Sequence, residues 1–156
     1  MQCNLTDSSI YFLAIVLKEA KTLPRFINLT DKDNHYYLSV DSSNSLAFNK
    51  RKPDASCTFE VINLPVGQIS LKGANGKIVN LIYDPETPSG WYRCEGPRNG
   101  CPFDVIYLKD DQINLHSYTA PSFYMANYQH LLHQGLNAPP YADDHCLFTV
   151  SAAKEP

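Results

Sequence analysis

Charge is scarce in this sequence: only 19% of the 156 residues are Asp, Glu, Lys or Arg, and the formal net charge is −3. With 44% apolar residues, ten Tyr, seven Phe and eleven Pro beside so little charge, a solvated, disordered chain is excluded and one aromatic-packed, loop-rich domain is expected. Basic residues form no stripe, the densest cluster being Lys50-Arg51-Lys52, so there is no electrostatic footprint for a nucleic-acid backbone. Long apolar runs are also lacking. The segment Ile10–Leu17 is eight residues long, too short to span a bilayer, and no basic residues precede it, so neither a membrane anchor nor a targeting signal is read there.

Cysteine is present in the wrong number for a disulfide framework. Five of them (Cys3, Cys57, Cys94, Cys101, Cys146) stand at wide spacings, which points to a reducing compartment, cytoplasmic or nuclear. No G-x-S-x-G, H-E-x-x-H, P-loop or dinucleotide glycine pattern occurs, and no local signature surrounds a nucleophilic cysteine, so no enzyme activity and no cofactor are expected. The stretch Lys72-Gly-Ala-Asn-Gly-Lys77 is basic and glycine-bearing, but it lies between two strand patterns and reads as a hairpin turn.

What the chain does contain is repetition. The pattern C-x-F-x-V occurs at Cys57-Thr-Phe59-Glu-Val61, Cys101-Pro-Phe103-Asp-Val105 and Cys146-Leu-Phe148-Thr-Val150, with 44 residues from Phe59 to Phe103 and 45 from Phe103 to Phe148. A second marker keeps the same interval: Ile27-Asn-Leu29, Ile69-Ser-Leu71 and Ile113-Asn-Leu115 each put two apolar side chains on one face of a strand. A strand-like patch follows each of them, at Tyr36-Tyr37-Leu38, Ile78-Val79 and Phe123-Tyr124-Met125, introduced by Asp33-Asn34, Asn75-Gly76 and Pro121-Ser122. Third strands are placed at Leu46 to Asn49, Trp91 to Cys94 and Leu131 to Gln134. Four short strands in each of three units are too few units for a propeller ring and predict an all-β fold, a β-trefoil, with repeats over residues 23–63, 64–109 and 110–152 after an extension over 1–22. The repeated Phe and Val side chains are expected to fill the barrel, and the repeated cysteines to pack singly as small hydrophobes.

His130, His133, His145 and Cys146 have the ligand chemistry of zinc. Since Cys146 belongs to the repeated core pattern, no metal site is expected there. More suggestive is the stretch Tyr83 to Pro102, which carries the single tryptophan, Trp91, beside Tyr92 and Arg93. An aromatic face takes the C–H side of a sugar ring while fixed polar groups take its hydroxyls. Trp91, Tyr92, Arg93, Tyr83 and Asp84 are accordingly the candidate binding residues.

Leu23-Pro24-Arg25-Phe26 at the start of the first unit, Phe59-Glu60-Val61 at its end, and Trp91 followed by a Cys-x-Phe strand resemble the amaranthin-like plant agglutinins over roughly residues 23–150. The resemblance implies a β-trefoil lectin of plant type that binds glycans or glycoproteins carrying N-acetylgalactosamine and galactose (T-antigen), with a homodimer completing the site. The chain departs from that family by having Asn80 or Leu81 where an Arg is usual, and Asp84-Pro-Glu-Thr-Pro-Ser89 in place of Ser-Pro-Asn. It also has no Q-x-W, the repeat signature of ricin-type lectins. Two other trefoil roles stand beside the lectin reading. One is protease inhibition through Arg51 to Ser56 or Pro97 to Gly100; the other is an actin-binding or protein-interaction module using the Lys72 to Lys77 hairpin.

Overall fold

A computed structural model describes residues 21–156 except 34, 85, 87–88, 97–99, 119–121 and 129–135. The apolar run at Ile10–Leu17, most of the 1–22 extension, Cys3, His130, His133 and the third strand expected at Leu131 to Gln134 lie outside the described residues. Among the described residues there are eleven strands, and no helix is long and apolar enough to cross a membrane.

The first repeat supplies β1 (Phe26–Thr30), β2 (Tyr37–Val40), β3 (Leu46–Lys50) and β4 (Phe59–Asn63). The second supplies β5 (Ile69–Lys72), β6 (Ile78–Asp84), β7 (Ser89–Gly96) and β8 (Phe103–Tyr107). The third supplies β9 (Gln112–Ser117), the two-residue β10 (Leu136–Asn137) and β11 (Phe148–Ala152), with single bridges at Tyr124 and Ala126 where its second strand is expected. The first and last strands of the three repeats pair antiparallel in a closed ring: β1 with β4, β4 with β5, β5 with β8, β8 with β9, β9 with β11, and β11 back to β1. The remaining strands lie outside this six-stranded barrel, β2–β3 and β6–β7 as hairpins, and β10 paired with β7 and bridged to Ala126. This is a β-trefoil, and ring closure leaves its barrel strands without an open edge.

Alternation along the barrel strands sends the repeated residues inward. Ile27, Leu29, Leu71, Phe59, Phe103 and Phe148 are completely buried, and Ile69, Ile113 and Leu115 nearly so; burying each such side chain contributes about 1.5–3 kcal/mol. Cys57, Cys101 and Cys146 are buried free thiols at related positions. Val105 and Val150, expected inside, are only partly buried and pack against the core from its margin.

The symmetry extends to polar contacts. Asn28 on β1 donates its amide to the Cys57 carbonyl at 2.9 Å, and Asn114 on β9 donates to the Cys146 carbonyl at 2.9 Å. Each carbonyl ends a short 3-10 turn, Ala55–Cys57 or Asp144–Cys146, capped by Asp54 or Asp143. The second repeat has Ser70 in place of the asparagine and Arg98 in place of the capping aspartate.

Candidate functional site

Within the stretch Tyr83 to Pro102 the strand expected at Trp91 to Cys94 is longer than expected, β7 occupying Ser89–Gly96, and it is preceded by β6, which runs on to Asp84. The register of this hairpin sets Leu81 opposite Tyr92, Ile82 opposite Trp91, Tyr83 opposite Gly90 and Asp84 opposite Ser89. Successive residues of a strand face opposite ways. Trp91, Tyr92 and Arg93, adjacent in sequence, therefore cannot all meet one ligand.

Tyr92 is the residue turned inward. It is fully buried, its ring lies 5.6 Å from that of Phe103, and its hydroxyl is hydrogen-bonded to Ser117. Burial pushes the phenol far above its ordinary value, with the Ser117 bond acting in the opposite direction. This corrects its assignment as a ligand-binding residue: the hydroxyl is spent inside the core.

Arg93 faces outward but is also committed. Its guanidinium donates to the Ser43 carbonyl and to Glu95 Oε2 at 3.1 Å, leaving the side chain 16% exposed, while its backbone bridges to Ser45. It ties the β6–β7 hairpin to the β2–β3 turn of the first repeat and acts as a structural tie in place of the expected sugar contact. Tyr83 lies on the same face of the hairpin as Tyr92, its ring edge-on to Phe123 at 6.1 Å and its side chain partly exposed. Asp84 ends β6 opposite Ser89. Trp91 and Arg93 thus lie on one face of the hairpin and Tyr83 and Tyr92 on the other.

Trp91 stands half-buried on the outward face, with Ile82 opposite it on β6 and Asn137 opposite it on β10 of the third repeat. Residues directly opposed across strands share a face, so the tryptophan continues into a row that crosses from the second repeat to the third. Asn137 Oδ1 in turn accepts the Tyr128 N–H at 3.2 Å.

Tyr128 belongs to a cluster that the sequence reading missed. Its hydroxyl donates to Asp143 Oδ2 at 2.6 Å, its ring is 4.7 Å from that of His145, and the His145 N–H donates to Asp143 Oδ1 at 2.8 Å. Burial pushes Asp143 up, but the bonds from Tyr128 and His145 outweigh it and hold the carboxyl below its ordinary range. The same burial, with the bond to Asp143, pushes the Tyr128 phenol well up. A sequence signal for the capping half of this cluster exists, an aspartate three residues before a repeated cysteine at Asp54-Ala-Ser-Cys57 and Asp143-Asp-His-Cys146.

Of the residues considered for zinc, Cys146 is fully buried, its thiol near Asp143 Oδ1 at 3.6 Å and the Tyr141 carbonyl at 3.8 Å, and burial pushes its pKa up to about 11. Among the described residues no group of three or more metal-ligating side chains converges. The Lys72 to Lys77 segment is a tight turn, with Gly73 N–H donating to the Lys77 carbonyl at 2.9 Å and Lys77 Nζ to Asn44 Oδ1 at 3.2 Å. Two clefts, of about 360 and 500 Å3, lie around Pro24 and Tyr107 and around Pro53 and Lys154; none of the five expected residues lines either.

Neither a protein-family model nor a curated protein sequence matches the chain. Solved structures do. ThreeFoil, a designed 3-fold symmetric protein, is similar with a TM-score of 0.68 and 11% identity over 83% of this chain and all of that one. The BEL beta-trefoil, in an apo crystal form, gives 0.65 and 14% over 86% of this chain and 97% of that one. The ricin B-like lectin of Macrolepiota procera, solved in complex with lactose, gives 0.62 and 9% over 86% of this chain and 99% of that one. At such identities the likeness is one of fold.

Proposed function

We propose that this protein is a carbohydrate-binding module, a lectin and not an enzyme, that takes a galactose- or N-acetylgalactosamine-bearing glycan on the outward face of β7. The observation that carries this reading is the position of Trp91: an aromatic ring held half-buried on a strand, outside the buried core cluster, with the polar Asn137 of the third repeat opposite it. A sugar needs that combination, an apolar platform for its C–H face and directional partners beside it. The trefoil fold shared with a lectin solved in complex with lactose and the resemblance to amaranthin-like agglutinins support it. From that resemblance come the finer parts of the proposal: T-antigen-like specificity, a cytoplasmic or nuclear location, and a homodimer that raises avidity. One platform and a few hydrogen bonds correspond to monovalent affinities from millimolar to micromolar, roughly −4 to −8 kcal/mol.

A glycan array tests ligand class and specificity together. Because Trp91 is the single tryptophan, titration of the full chain with galactose or N-acetylgalactosamine should also change its intrinsic emission. The reading fails if the wild type binds no glycan, or if Trp91→Ala binds as the wild type does.

A further inference from the structure

We propose that the apolar run Ile10–Leu17 of this chain is the occupant of a cleft at one end of the barrel, where it covers the apolar wall left open to water. The cleft has a volume of about 360 Å3 and is lined by the apolar Leu23, Pro24, Tyr107, Ile113 and Val150 and by the polar Asp111. It lies where β8 and β11 end and β1 begins. An apolar cavity of about 150 Å3 takes one benzene-sized group, so this cleft has room for about two large apolar side chains. Its surroundings are apolar as well. Among the described residues the exposed large apolar side chains include Val66, Ile106, Tyr107 and Leu108. All four stand at this end of the barrel, Val66 in the turn between β4 and β5 and the others at the close of β8.

Connectivity selects the occupant. Lys21 Nζ donates to the Asp110 carbonyl of the β8–β9 turn at 3.0 Å, and Leu23 and Pro24 form part of the cleft wall. Residues 18–20 alone separate Leu17 from Lys21, and four peptide steps reach at most about 14 Å. The run is therefore tethered beside the cleft. A short tether gives an attached segment a local concentration in the millimolar range, which a second copy of the chain at micromolar concentration does not match. Side-chain chemistry agrees with the connectivity. Every residue of the run Ile-Tyr-Phe-Leu-Ala-Ile-Val-Leu is apolar, so it brings no charge to be neutralised, and left in water it would form the kind of contiguous apolar patch that monomeric proteins seldom expose.

The full chain carrying the photo-cross-linker p-benzoylphenylalanine in place of Tyr107, irradiated at micromolar concentration and digested, identifies the occupant by mass spectrometry. The cross-link should join position 107 to a peptide containing Ile10–Leu17 within the mass of a single chain. A product of twice that mass would make the cleft an interface between copies and overturn the proposal, as would the absence of any cross-link to that peptide. Leu13→Asp with Ile15→Asp, which would put carboxylates into an apolar site, should lower the yield by about tenfold or more; an undiminished yield overturns it. Hydrogen exchange checks the same contact with Tyr107 intact. Amides of residues 106–113 should exchange about tenfold faster in the Leu13→Asp, Ile15→Asp chain than in the wild type, while those of β2 and β3 keep their rates. Equal rates at 106–113 in the two chains, or an acceleration spread evenly over the whole barrel, overturn the proposal. None of these readouts depends on a sugar, so this proposal and the lectin reading fail separately.

Discussion

The hydroxyls of Tyr92 and Ser117 meet in the centre of the molecule, one from the hairpin of the second repeat and one from the last residue of β9, and neither side chain is exposed at all. This bond fastens a hairpin to the barrel across a repeat boundary. Removing one partner strands the other without water. Tyr92→Phe should therefore cost about 1–3 kcal/mol in urea unfolding, and Tyr92→Phe with Ser117→Ala should be closer to the wild type than Tyr92→Phe alone. A double variant as destabilised as the sum of the two single changes would show that the bond is not what matters there.

Acid should loosen the two capped turns. The Ser56 hydroxyl beside Asp54, and the bonds from Tyr128 and His145 N–H that outweigh burial at Asp143, hold both carboxyls below their ordinary value of 3.8. A carboxyl depressed on folding stabilises the native state above its unfolded pKa and ceases to do so as pH falls through its folded one. The thermal midpoint of the wild type should drop as pH goes from about 4 toward 2. Asp54→Asn with Asp143→Asn, having no proton to take up at either turn, should lose less over that interval in a calorimetric pH series.

Gly73 has no room for a side chain. A Cβ there would come within 2.6 Å of Cys94 Sγ and 3.0 Å of Asn75 Oδ1. Gly73→Ala should destabilise by about 1–3 kcal/mol through overpacking, and Cys94→Ala should restore part of the loss by removing the sulfur. Equal penalties in the two backgrounds, measured by denaturant midpoints, would place the strain elsewhere.

The barrel thiols should be inert in the native state. Cys57, Cys94, Cys101 and Cys146 are buried, and burial pushes Cys94 and Cys146 up to about 11, so that about a thousandth of each is thiolate at pH 8. A colorimetric thiol titration at that pH should leave all four unreacted until denaturant is added. Prompt native reaction of any of them would contradict the packing.

The barrel was legible because its signal is one-dimensional. Apolar alternation at Ile27 and Leu29, and again at Phe59 and Val61, states which side of each strand is wet, and recurrence after 44 residues states how many such pairs there are. Trp91 was legible for the same reason that Tyr92 was misjudged: aromatic identity shows in the sequence, but the direction of each ring depends on where the strand begins. A strand was expected at Trp91 to Cys94, but grouping Trp91, Tyr92 and Arg93 at one site left out the alternation along it that separates Trp91 from Tyr92. The Asp143 cap could have been noticed beside Asp54, since both stand three residues ahead of a repeated cysteine; Tyr128 could not, because it lies 15 residues from the carboxylate it binds.

By itself the sequence determined the repeat, the barrel strands and the Ile, Leu and Phe residues that fill the barrel, since each of these follows from local side-chain periodicity and the exclusion of apolar surface from water. Only the tertiary structure decided what the hairpins touch. Arg93 reaches the Ser43 carbonyl across 50 residues, and Trp91 lies against Asn137 of another repeat. Those neighbours are set by how the outer strands of different repeats meet over a closed barrel, a geometry that no short window of sequence encodes.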